Sequence, residues 1–207
     1  MRSLTFILGT VILWALASCT AKPPESRGRS EKAVALHEAM DKLWNDHVVY
    51  TRLFIVDAAA GLPEQQATTE RLLRNQDDIG AAVASYYGPE AGQKLMTLLH
   101  EHITTAGELV TAAKANDTTK VADAKTRWGA NADSIAAFLS AANPKWPQAD
   151  MTRMMHEHLD LTTEEATAQL HSDWNASIAA YDKVHTQILG MADMLSDGIV
   201  AQFPDKF

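Results

Sequence analysis

The stretch Leu98-Leu99-His100-Glu101-His102-Ile103 puts a histidine where a helix places a core residue, and the chain writes this phrase three times. The other copies are Leu43-Trp44-Asn45-Asp46-His47-Val48 and Met154-Met155-His156-Glu157-His158-Leu159. Each has two apolar residues, a polar residue, an acid, a histidine and an aliphatic residue. Tyr181-Asp182-Lys183-Val184-His185 is a looser relative. Outward from each histidine, residues of core type recur at intervals of three and four, the period of a helix with one buried face. The first stripe is Ala33, His37, Met40, Trp44, His47, Thr51, Phe54 and Ala58. Others run through Leu95, Leu98, His102, Ala106 and Leu109, and through Met151, Met155, His158, Thr162, Glu165 and Gln169. The last is Trp174, Ile178, Tyr181, His185, Ile188, Ala192, Leu195 and Ile199.

Helix punctuation divides the chain into six. Ser30 caps a first helix to about residue 60, and Gly61-Leu62-Pro63 stops it. A second region reaches about Tyr87, with a break expected at Asn75-Gln76-Asp77-Asp78. Gly88-Pro89, Asn116-Asp117, Asn143-Pro144-Lys145-Trp146-Pro147 and the stretch around Asp173 separate the rest, and the sixth helix ends near Phe203. Alanine is abundant and β-branched runs are short, so no strand is expected. The fold class is all-α, an antiparallel helical bundle of about six helices. Trp44, Phe54, Ala58 and Pro63 match Trp128, Phe138, Ala142 and Pro147 at a constant offset, which suggests two pseudo-repeated three-helix halves. The formal net charge of −8 argues against a nucleic-acid partner, which needs clustered Lys and Arg.

The first residues are excluded from that fold. Arg2 precedes an apolar run from Leu4 to Leu16, too short to span a bilayer as a helix, which ends in Leu16-Ala17-Ser18-Cys19. This resembles the lipobox of bacterial lipoproteins, in which the cysteine is acylated and becomes the first residue. The resemblance implies a signal peptide over 1–18, lipidation of Cys19 and a flexible linker over 19–30 ahead of a bundle domain over 31–207. It implies export and anchorage to the cell envelope, with a membrane partner through Cys19. In a Gram-negative cell, Thr20 in place of Asp implies the outer membrane, facing the periplasm. Cys19 is the chain's single cysteine, so its lipidation leaves no thiol for a disulfide, a nucleophile or a metal.

In an antiparallel bundle, residues near mid-helix meet at mid-height, and side chains on facing helices build the sites of such folds. His47, His102, His158 and His185 are therefore candidate metal ligands in one layer, with Glu165 and Asp182 as possible carboxylate partners. Thr51 and Thr162, four residues after a stripe histidine, can orient an imidazole or bind a water. Asp46, Glu101 and Glu157 flank the stripe, while His100 and His156 point away from it. Imidazole with carboxylate suits zinc, copper or iron. Haem b held by two of the histidines ranks behind them. The sequence lacks the Glu-x-x-His pairs of a di-iron bundle, and it has no Gly-x-Ser-x-Gly, phosphate loop or His-Glu-x-x-His.

Beyond the lipobox, the body resembles a group of small helical bacterial proteins sharing Leu-Trp-x-x-His-Val-x-x-Thr-Arg, here Leu43 to Arg52, and Asn-Ala-Asp, here Asn131 to Asp133. That group carries no settled function across. The expectation is an envelope lipoprotein whose inward histidines bind a metal ion or a small ligand. The alternative is a structural or interaction module whose histidines complete buried hydrogen-bond networks. Acid–base catalysis by histidine ranks last.

Overall fold

The computed structural model describes residues 29–207. The lipobox, Cys19 and most of the expected linker lie outside the described residues. The described chain holds six long α-helices, a terminal 3-10 turn and no strand. The helices are α1 (Glu31–Ala60), α2 (Gln65–Tyr87), α3 (Pro89–Lys114), α4 (Thr118–Ala142), α5 (Gln148–Leu170) and α6 (Trp174–Gln202). The Ser30 hydroxyl caps α1 by accepting from the Ala33 N–H, and Asp117 and Asp173 cap α4 and α6 in the same way. None of these helices is long and apolar enough to cross a membrane.

The expected break in α2 is absent, because its polar residues have two different destinations. Asn75 and Gln76 are fully buried and hydrogen-bonded, whereas Asp77 and Asp78 face solvent, so the helix runs through all four.

Each helix packs on its neighbours in the chain, and α6 packs back on α1, which closes a ring of six. The odd-numbered helices α1, α3 and α5 also touch one another. Short turns make successive helices antiparallel, so these three are mutually parallel. Beside the two three-helix halves that the sequence offset suggests, the turns repeat with the helical hairpin as the unit. The left-handed residue that ends the first helix of each hairpin is Gly61 (φ 69°), Asn116 (φ 57°) and Ser172 (φ 60°), every 55 or 56 residues. In each turn the next N–H bonds a carbonyl five residues back: Leu62 to Asp57, Asp117 to Ala112 and Asp173 to Ala168.

At the end of the ring where the odd helices begin, the α4–α5 connection turns inward as a plug. Trp146 is fully buried, lies tilted against Tyr87 with ring centres 5.6 Å apart, and donates from Nε1 to the Met194 carbonyl at 3.3 Å. It lies so close to Gly198 that a β-carbon there would overlap the indole. Asn143 donates to the Tyr87 hydroxyl at 2.9 Å, and that hydroxyl donates to Gln202 Oε1 at 2.9 Å. Burial pushes the Tyr87 phenol up to about 12, against the Asn143 hydrogen bond.

Candidate functional site

Three of the four candidate histidines meet. His47, His102 and His158 sit on the parallel helices α1, α3 and α5 and are each at most 3% exposed. The His158 ring centre lies 5.6 Å from that of His47 and 6.4 Å from that of His102. They share a layer because they recur at the hairpin period on helices that run the same way. Trp44 packs edge-on to His47 and Trp128 tilts against His102.

Each ring is held from outside by an amide on the next helix, always 29 residues further along the chain. His102 Nδ1 pairs with Asn131 Oδ1 at 2.9 Å and His158 Nδ1 with Gln187 Oε1 at 3.2 Å. The amide orientations are fixed chemically. Asn131 donates its nitrogen to the Leu98 carbonyl and Gln187 donates to the Met154 carbonyl, and a carbonyl can only accept. The amide oxygens therefore accept from Nδ1–H, so His102 and His158 carry the proton on Nδ1 and leave Nε2 as a free lone pair. At His47 the work is divided between two residues. Asn75 donates to the Leu43 carbonyl, and Gln76 Nε2 lies 3.3 Å from His47 Nδ1. An amide nitrogen cannot accept, so His47 Nδ1 accepts and its proton sits on Nε2. Gln76 Oε1 is left as a buried acceptor without a donor.

Burial dominates the electrostatics of this layer. It holds His102 down to about 3 and His158 to about 4, and His47 well below the usual 6.5. The neighbouring imidazoles add to the effect at His47 and His102. All three are neutral at pH 7, the form in which imidazole binds a metal.

A narrow cavity of about 20 Å³ touches the three rings, lined otherwise by residues such as Met40, Met155, Met191 and Leu99. That is space for one water or one ion, and far too little for haem. Among the described residues no group of three or more His, Cys, Asp or Glu is placed so that it could hold a metal ion. Nitrogens on one tetrahedral ion lie about 3.4 Å apart, given bonds of about 2.0–2.1 Å. The rings must draw together to share one.

The other sequence candidates lie elsewhere. His185 is half-buried, and its Nε2 pairs with Asn45 Oδ1 at 2.9 Å. The inward residue at that turn is Val184, one position earlier, and the stripe residues Trp174 and Ile178 are exposed. Ser177 sets this register, because it faces inward to meet Arg52 and Gln169. Glu165 is buried but committed: Arg52 Nη1 donates to its Oε1 at 2.7 Å and to Ser177. Asp182 is exposed. Thr51 donates to the His47 backbone carbonyl at 2.7 Å rather than to an imidazole, and Thr162 Oγ1 has no partner. Outside the layer, His100 pairs with Asp77 and His156 with Asp133, at 2.7 and 2.8 Å. Asp46 binds Lys42 and Arg71, while Glu101 and Glu157 face solvent.

The amides Gln76, Asn131 and Gln187 were not among the residues singled out as ligands or their supports. Their signal was the constant 29-residue separation from each layer histidine, legible only with the hairpin as the unit. Comparison with protein-family models, with curated proteins and with solved structures gives no match, so the site is read from its own geometry.

Proposed function

We propose that the protein is an envelope-anchored lipoprotein that binds a single transition-metal ion through Nε2 of His47, His102 and His158. The observation that carries this reading is the support of the layer. Three neutral imidazoles converge, and amide oxygens turn the lone pairs of two of them toward the interior. A hydrogen bond from the second ring nitrogen to an oxygen is the usual arrangement behind a metal-bound histidine. His47 completes the set once its proton moves to Nδ1 and the Gln76 amide turns over, so that its unsatisfied Oε1 faces Nδ1 in place of Nε2 and the bond from Nε2 to the Leu72 carbonyl is given up. The anchor rests on the lipobox that Leu16 to Cys19 resemble.

Among zinc, copper and iron, monovalent copper suits these surroundings best. Glu165 is neutralised by Arg52 and Asp182 is exposed, so no free carboxylate offsets a second positive charge in the apolar interior. Copper(I) carries one charge, accepts imidazole, and tolerates the thioethers of Met40, Met155 and Met191 that line the adjoining cavity. The test is a competition titration of the soluble domain with copper(I) and a chromophoric chelator. One ion per chain is expected, retained in the His100→Ala/His156→Ala variant and lost in His102→Ala/His158→Ala. Binding that survives the second pair sinks the reading.

The separations of 5.6 and 6.4 Å between ring centres favour one competing reading, a non-catalytic envelope module whose histidines only complete a buried network. A melting temperature indifferent to zinc, copper and iron is its signature.

A further inference from the structure

The narrow cavity at the histidine layer extends toward the plug. Its lining runs from Met40 to His47 on α1 and from Leu95 to His102 on α3, so the histidine is in both the residue farthest from the start of the helix. On α6 the lining runs from Ile188 to Ile199, about 16 Å of helix at about 1.5 Å per residue. Trp146 lines it too, seated on Gly198 at the plug end. On the other side of the layer a separate cavity of about 170 Å³ is lined by Thr51, Ala106 and Thr162, and its wall includes no layer histidine. The space in contact with the imidazoles therefore leads to Trp146.

The α4–α5 connection is attached through two side chains. Asn143 and Trp146 are buried, whereas Pro144, Lys145 and Pro147 are exposed. The Asn143 side chain is latched to Gln202 through the Tyr87 hydroxyl. The bond from Trp146 Nε1 to the Met194 carbonyl, at 3.3 Å, is slightly longer than the usual range of about 2.7–3.2 Å. A short connection held at two points can swing out while the six helices keep their packing, since exposed segments with few buried contacts open at the least cost. Met40, Met155 and Met191 line the cavity between layer and plug, and thioethers are ligands for copper(I).

We infer that Trp146 is a gate: a metal ion reaches His47, His102 and His158 from the plug end of the ring when the α4–α5 connection swings out, and it leaves the same way. The cargo rests on the metal reading above, whereas the route is a property of the metal-free bundle.

Two rates, measured on the full-length protein in detergent, test the gate. Deuterium exchange at imidazole C2, followed residue by residue in metal-free protein by mass spectrometry, reports water reaching each ring. Stopped-flow transfer of copper(I) from a chelator reports the ion. Trp146→Ala is expected to speed C2 exchange at His47, His102 and His158 at least tenfold, while the solvent-facing His100 and His156 keep their rates. It should speed copper(I) uptake and release alike, at least tenfold, and leave the affinity within about threefold. Tyr87→Phe removes the hydroxyl between Asn143 and Gln202; it should shift both rates the same way by less, and it serves if the first variant does not fold. Ala166→Leu, which narrows the cavity on the other side, and Leu72→Ala, a core truncation beside Phe54 and Ile55, should change neither rate. Rates that ignore Trp146 and Tyr87, or that Leu72→Ala raises as much as Trp146→Ala does, overturn the gate. Slower uptake in Ala166→Leu overturns it too, by moving the route to the other side. Wild-type protein that takes up no copper(I) defeats the metal reading alone, and C2 exchange still decides the gate.

Discussion

Glu165 shows how a single side chain can be buried, polar and still not a ligand. Burial raises its carboxyl from the usual range, and the hydrogen bond and charge of Arg52 oppose that rise. Removing the arginine strands a carboxylate in the interior. We expect Arg52→Ala to cost about 3–5 kcal/mol in urea denaturation, while Arg52→Met with Glu165→Leu stays close to wild type. The amide supports make a second expectation at this scale. Asn131→Ala strips the partner from both His102 Nδ1 and the Leu98 carbonyl, and about 1–3 kcal/mol of stability should go with it. Metal affinity should fall about 10–100-fold if His102 is a ligand. The histidines were legible in the sequence because helical period alone turns them inward. The amides were not, because nothing local distinguishes Asn131 from a solvent-facing asparagine until its helix is laid against α3.

At the scale of elements, all six helices were legible from caps, glycines and prolines, but the facing of α6 was not. Its first half offers two stripes one residue apart, and the more hydrophobic one, through Trp174, Ile178 and His185, is the one that faces outward. Hydrophobicity lost to a polar contact: Ser177 reaches Arg52, and that rotation brings Ala180 and Val184 inward. The register has a direct check. Val184→Asp should cost at least about 3 kcal/mol, as an unpaired buried charge does, whereas His185→Asp should stay within about 1 kcal/mol. Comparable losses for the two would mean that α6 is rotated from this position. The same blindness produced the break expected in α2. Asn75 and Gln76 look like a turn, and their role as hydrogen-bond partners of α1 exists only once the hairpin has formed.

Across the whole molecule, the three-hairpin ring concentrates three neutral imidazoles at its centre, and this links stability to pH. The unfolded chain takes up protons as pH falls through about 6.5, while burial keeps the folded histidines neutral down to about 4 and 3 for His158 and His102. Stability is therefore full above pH 6.5 and is lost as pH falls below it. Three such groups together set a slope of about 4 kcal/mol per pH unit in the middle of that window. The urea midpoint of metal-free protein should drop steeply between pH 6.5 and 5, and a flat profile would mean that the three rings are solvated. A bound ion should hold the midpoint up across the same range. The measurement that tests the histidine layer most directly is X-ray absorption at the copper edge, on protein carrying one equivalent of copper(I). A first shell of imidazole nitrogens from three histidines, lost in His102→Ala/His158→Ala, is the expected result. Copper that washes off the wild-type protein, or a spectrum unchanged in that variant, would contradict a metal at the centre of the ring.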